Sequence, residues 1–406
     1  MQPAYPTRNV QVLAASQALA SSAIPMVVFI GGIVGVQMAP NRLLATLPSS
    51  LSVVGLALAT IPASLLMSRV GRKRGFMLAT LVGAAVALLG AYALHLFSFP
   101  LFCLTTFLTG GVMAFVQQFR FGAAESVPEE RASRAVSTVL IGGIVAGLLG
   151  PEIARRTVDW LAYGQFTASF FILAALFLVV TGILTQLKPT AALQVQAGGE
   201  SRPLAQIIRQ RSFLAAIVSG AAAYGVMTFI MTATPLEMHT LHSFSLDETA
   251  LVIESHIIAM YLPSLFTGFL IERFGLRRLM LAGVVCMLLT VGIGVFSRDV
   301  LHYWWALVLL GVGWNFLFVG GTVLLTRSYY PAERFKAQAA NDFTIFGTQA
   351  LASLSSATVL FLSGWDMLLL ITLPVLAGLL IMLGVGKDDG RRRSVDRRPT
   401  TDDRPA

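Results

Sequence analysis

The sequence predicts an all-α membrane protein of twelve transmembrane helices in two pseudo-symmetric six-helix bundles. Three observations predict it: a composition too apolar for water, apolar runs of helical-span length along almost the whole chain, and sequence repeats half a chain apart. Of 406 residues, 56% are hydrophobic and only 12% charged, and the mean hydropathy is +0.76, far beyond what a soluble domain leaves in contact with water. Crossing a hydrocarbon core of about 30 Å takes about 20 helical residues. The runs are continuous rather than alternating, which excludes a closed β-barrel, the other spanning solution.

The runs fall at 11–36, 43–67, 75–97, 100–125, 135–158 and 164–187, then at 212–238, 247–271, 279–297, 301–326, 337–362 and 366–386. The first, behind Arg8, is too long for the apolar core of a secretory leader and has no small-residue cleavage pattern, so it is predicted to be a retained span. Residues 1–187 thus form a first bundle and 212–386 a second. Residues 188–211, with Lys188, Pro189, Gly198, Gly199, Glu200, Arg202 and Pro203, form a polar linker. Residues 387–406 are rich in Arg, Asp, Pro and Thr without an apolar period and are expected to be disordered, with Arg391, Arg392 and Arg393 suited to anionic lipid.

The net charge of +9 would suggest a nucleic-acid partner in a soluble protein, but the basic residues sit at span ends. Arg69, Arg72, Lys73, Arg74, Arg131, Arg134, Lys188, Arg202, Arg209, Arg211, Arg273, Arg277, Arg278, Arg334 and Lys336 occupy alternate loops, whereas the opposite loops hold little beyond Arg42 and Arg298. The positive-inside rule therefore places both termini and the linker in the cytoplasm, with the lipid bilayer as partner and no nucleic acid. Cys103 and Cys286, each alone in an apolar span, offer no disulfide framework or Cys-x-x-Cys motif and read as small buried hydrophobes.

The repeats define the two halves. Ser64-Leu-Leu-Met-Ser68-Arg69-Val-Gly71-Arg72-Lys73 after span two aligns with Gly268-Phe-Leu-Ile-Glu272-Arg273-Phe-Gly275-Leu-Arg277-Arg278 after span eight. Pro128-Glu-Glu130-Arg131 before span five matches Pro331-Ala-Glu333-Arg334 before span eleven at nearly the same offset. The first pair resembles the major facilitator signature G-x-L-a-D-R-x-G-R-K, found between spans two and three of that superfamily and weakly between eight and nine. The second copy is the better match, because Ser64 and Ser68 replace the Gly and Asp of the first. What the resemblance implies is a conformational latch of Glu272, Arg273, Arg277, Arg69 and Arg72, weakened by the missing acid at Ser68.

Polar groups within spans are costly and mark function or pairing. Gln117, Gln118 and Arg120 in span four, Glu152, Arg155 and Arg156 in span five, and Asn341 with Asp342 in span eleven read as groups with a structural role, such as pairing between bundles. Spans seven and eight carry a different pattern: Met227 and Met231 one turn apart, then His256 and Met260 one turn apart. No other pair has a Met-x-x-x-Met or His-x-x-x-Met spacing. Met238, His239 and His242 follow at the outer end of span seven, suited to periplasmic metal capture. Thioether with imidazole suits a soft, low-coordinate cation, Cu(I) above all, and neutral ligands suit a low-dielectric site. Each motif taken singly is also what core-filling methionines and a hydrogen-bonded core histidine look like.

At these four residues the chain resembles the CcoA-like copper importers, a bacterial branch of the same superfamily. The resemblance implies copper import across the inner membrane by alternating access, with copper as substrate rather than cofactor, for haem–copper oxidase assembly. It also implies a periplasmic copper donor and a cytoplasmic chaperone or exporter downstream. Some relatives of that branch look like riboflavin importers, so a small organic solute is the rival cargo. Tyr224, Phe229, Trp304, Trp305, Trp314 and Phe316 are suited to line its pocket. A drug/proton antiporter is disfavoured because Gly147-Leu-Leu-Gly150-Pro151 only partly resembles the antiporter signature. No hydrolase, P-loop or dinucleotide fingerprint is present, so the chain does not read as an enzyme.

Overall fold

A computed structural model describes residues 8–40, 44, 47–162, 164–188 and 201–385. The predicted tail, residues 189–200 of the linker and Arg42 lie outside them. The first half comprises α1 (Arg8–Ala20), α2 (Ala23–Met38), α3 (Leu47–Val70), α4 (Arg72–His95), α5 (Phe99–Val116), α6 (Phe119–Ala124), α7 (Ala132–Arg156) and α8 (Thr167–Leu184). A short α9 (Leu204–Ile208) leads into α10 (Arg211–Pro235), α11 (Leu246–Tyr261), α12 (Ser264–Phe274), α13 (Leu276–Phe296), α14 (Val300–Thr326), α15 (Arg334–Leu370) and α16 (Leu373–Val385). No strand occurs among the described residues.

Ten helical segments are long and apolar enough to cross a membrane, and α11 with α12 makes an eleventh, bent by 43°. That bend falls at Leu262-Pro263, where the proline lacks the N–H a continuous helix needs. Within α15, Gly364 at φ 78° interrupts the helix. The part before it carries Asn341, Asp342 and Gln349 and is too polar to stand out by hydropathy, yet it packs along α10 and α3 in the place of the predicted eleventh span. Span one is broken between Ala20 and Ala23, and span four between α5 and α6.

The repeats have matching backbones. Gly71 (φ 83°, ψ 158°) and Gly275 (φ 92°, ψ 149°) each turn the chain from an even span into the next helix, in a region essentially open only to glycine. Each Pro-x-Glu-Arg motif likewise forms a 3₁₀ turn, at Glu129–Arg131 and Pro331–Glu333. The halves meet where α3 packs on α15 and α12 packs on α7. Gly268 permits the second contact: a Cβ there would lie 2.8 Å from Arg134 Cα.

Candidate functional site

One side-chain assembly joins the two halves, and a second, built from the second half, abuts the first. The first is at the face carrying the arginine-rich loops, called here the basic face. Arg72 donates to both carboxylate oxygens of Glu125, at 2.6 and 2.7 Å, and to Gln338 of α15 at 2.6 Å. Gln338 in turn donates to Glu125 at 3.1 Å. Glu125 thus supplies the acid that Ser68 does not, since the Ser68 hydroxyl only donates to the Leu65 carbonyl.

One turn deeper, Arg120 Nη2 donates to Asp342 Oδ1 at 2.5 Å, with the two side chains 1% and 0% exposed. This is the pairing between bundles expected of these residues. Asn341 donates to the same oxygen at 2.9 Å. The Arg120 guanidinium lies 4.5 Å from the centroids of both Phe121 and Phe318. Arg134 pairs with Glu272 and Arg327 with Glu129, again across the halves.

Of the predicted latch residues, Glu272 and Arg72 therefore make contacts between halves. Arg277 instead donates to the carbonyls of Leu383 and Gly384, Arg273 lies over Phe274, and Arg69 is exposed.

The second assembly is aromatic and lies halfway along its helices. The Tyr224 ring is 5.2 Å from Trp314, 5.0 Å from Phe318 and 5.4 Å from Phe346, edge-on to each. Trp314 stacks on Phe318, and Tyr261 stands 5.5 Å from Trp314. Spans seven, eight, ten and eleven thus converge on one aromatic box. Tyr261 closes it against the other half at Gly143, where a Cβ would fall 2.3 Å from a ring carbon. The Trp314 indole N–H is buried and finds no partner.

The four predicted metal ligands are placed as two pairs. Met227 and Met260 are buried and Met231 is half-buried. His256 is fully buried, and its Nδ1 lies 2.8 Å from the Leu307 carbonyl. A carbonyl only accepts, so Nδ1 carries the proton and the lone pair of the neutral ring is on Nε2, which has no partner. Helix α14 packs along both α10 and α11, the helices that carry the two motifs. Gly311 allows this approach, since a Cβ there would lie 2.8 Å from the His256 carbonyl oxygen.

At the end of span seven away from the basic face, Met238 is buried. His239 and His242 use Nδ1 on the carbonyls of Phe244 and Glu237, at 2.8 and 3.1 Å. Among the described residues, no group of three His, Cys, Asp or Glu side chains is placed to hold a metal ion.

Glu125, Gln338, Tyr261, Phe318 and Phe346 were not singled out from sequence. Glu125 ends span four directly after a helix and reads as an ordinary interfacial acid. The aromatic residues are ordinary members of apolar runs.

Two six-span halves, locked at one face and meeting around a buried polar and aromatic centre, define a polytopic solute carrier. The Major Facilitator Superfamily profile matches residues 12–246 and 216–403, and the chain belongs to that superfamily. It is 40% identical over 378 residues to the riboflavin transporter RfnT of Brucella anthropi, covering 93% of this chain and 95% of that one. It is 29% identical to the MFS-type transporter YddS of Bacillus subtilis over 91% and 90% of the two chains. Among solved structures, the MFS transporter FucP in its outward conformation superposes with a TM-score of 0.77 at 16% identity, covering 93% of this chain and 98% of that one. The human organic anion transporter MFSD10 gives 0.74 at 14% identity, over 93% and 99%.

Proposed function

We propose that the chain imports riboflavin or a closely similar planar organic solute across a bacterial inner membrane by alternating access, with both termini cytoplasmic. The observation that carries this reading is the similarity to the riboflavin transporter RfnT, which spans nearly all of both chains. The aromatic box supports it. A flavin offers a flat, polarisable ring system edged with carbonyls and ring nitrogens, and such rings pair with aromatic side chains for about 0.5–1.5 kcal/mol per contact. The unpartnered Trp314 N–H in the same box supplies a donor to a ring carbonyl or nitrogen. Opening the box to solute requires Tyr261 to leave Gly143, so rocking of the halves exposes the site. The contacts Arg72–Gln338, Arg120–Asp342 and Arg134–Glu272 would serve as the latch that closes the basic face.

The test is radiolabelled riboflavin uptake by a riboflavin auxotroph carrying the gene. Uptake above the empty-vector level is expected, with Trp314→Leu and Tyr224→Leu each lowering it by about tenfold, the loss of roughly 1.4 kcal/mol of binding. No riboflavin uptake with the protein present in the membrane overturns the reading.

Copper is the second reading, favoured by the unpartnered His256 Nε2, whose lone pair is the form a soft cation requires. Its site would take Met227, Met231, His256 and Met260, with Met238, His239 and His242 nearer the periplasm. Radioactive copper uptake in the same cells separates the two, because Met227→Ala with His256→Ala abolishes only a copper activity.

A further inference from the structure

A cleft of about 350 Å³ opens along the seam between the halves near the basic face. Arg134, Ser137 and Thr138 of α7 line one side, and Ser264, Leu265 and Phe269 of the span-eight segment line the other. Leu265 and Phe269 are 53% and 51% exposed, so in a spanning helix they face lipid. Hydroxyls beside lipid are costly unless partnered. Those of Thr138 and Ser264 are engaged, the first with the Arg134 carbonyl at 2.8 Å and the second with the Asn315 amide at 2.7 Å. Ser137 is 3% exposed and its hydroxyl has no partner. Arg134 pairs with Glu272 through Nη2 yet remains 58% exposed, leaving guanidinium donors over. Arg131 stands exposed three residues before it, and Arg273 stands exposed directly after its partner Glu272 in sequence.

We infer that this cleft is a binding site for the phosphate headgroup of an anionic membrane lipid. The depth of the residues matches such a molecule. Arg134, in the first turn of span five, lies at headgroup level, and Ser137 lies one turn further in. Phe269 and Leu265 continue inward, where an acyl chain would run. The phosphate accepts from Arg134 and from the Ser137 hydroxyl in charge-assisted bonds. Because its walls come from both halves, the cleft exists only while the basic face is shut. A lipid bound there favours that conformer by its differential affinity.

The full-length protein, purified in mild detergent, is tested by native mass spectrometry with phosphatidylglycerol and with phosphatidylcholine. Phosphatidylglycerol should be retained by the unmodified chain and by Arg155→Gln at the opposite face. Retention should fall about tenfold in Arg134→Gln and be lost in Ser137→Leu, which fills the cleft. Glu272→Gln breaks the same seam pair but frees Arg134, so it should retain lipid. Equal retention by all variants overturns the site, as does loss in Glu272→Gln as complete as in Arg134→Gln, which would assign the effect to seam closure. Displacement by millimolar inorganic phosphate, or equal retention of phosphatidylcholine, likewise overturns it.

Discussion

Replacing Asp342 with leucine leaves the Arg120 guanidinium charged, buried and without its carboxylate between spans four and eleven. Removing one member of a buried ion pair costs about 3–5 kcal/mol, whereas replacing both members with apolar groups of similar volume is often near neutral. Arg120→Met leaves Asp342 able to take up a proton, which softens the electrostatic cost. It forfeits, however, the attraction to Phe121 and Phe318 at 4.5 Å, about 2 kcal/mol for a desolvated site. Each single variant should therefore lose about 3–5 kcal/mol, and the double variant only about 2 kcal/mol, a coupling of about 4–8 kcal/mol. Denaturant unfolding of the purified protein in detergent measures all four corners of the cycle. The same single variants should speed labelling of Ala339→Cys, a buried position near the basic end of span eleven. Single variants within about 0.5 kcal/mol of the parent, adding without coupling, would refute the claim that this pair holds the halves together.

Gly71→Ala and Gly275→Ala each force a side chain into a backbone region open only to glycine and should cost about 1–3 kcal/mol, read by the same unfolding assay. Glu333 is buried, which by itself raises its carboxyl pKa, but hydrogen bonds from the Arg202 side chain and from the backbone N–H groups of Tyr330 and Arg202 hold it down at about 2. A lowered carboxyl pKa contributes stability that is complete above the unfolded value of about 4.3 and lost as pH falls toward 2. Pepsin cleavage next to Arg202 should therefore rise as pH falls through that window, while Glu333→Gln should be cut readily throughout it; identical profiles would count against the anchor. Gln196→Cys should react with a membrane-impermeant thiol reagent only after the cells are opened, and labelling in intact cells would invert the topology.

The helical, membrane-spanning nature of the chain was legible in composition alone, because lipid imposes a single requirement on every residue of a span. The repeated halves were equally legible, since Gly71 and Gly275, with their flanking arginines, are local backbone and charge requirements written in contiguous residues. The eleventh span was read from sequence as one of the apolar runs, 337–362, although it carries Asn341 and Asp342. The motif Met227, Met231, His256 and Met260 was visible as spacing within single helices, but spacing has no information on neighbours in space.

Only the tertiary arrangement packed α14 along both spans seven and eight. It also decided that Glu125 supplies the acid missing at Ser68, and that Tyr224, Tyr261, Trp314, Phe318 and Phe346 form one box from four separate spans. The physical reason is the range of the forces involved. Hydropathy and glycine backbone freedom act on each segment as it stands, so the sequence by itself determined span and repeat. Ion pairs and ring contacts such as Arg120 with Asp342 and Tyr224 with Phe346 join residues about one hundred or more positions apart, and their partners are chosen only when the helices pack.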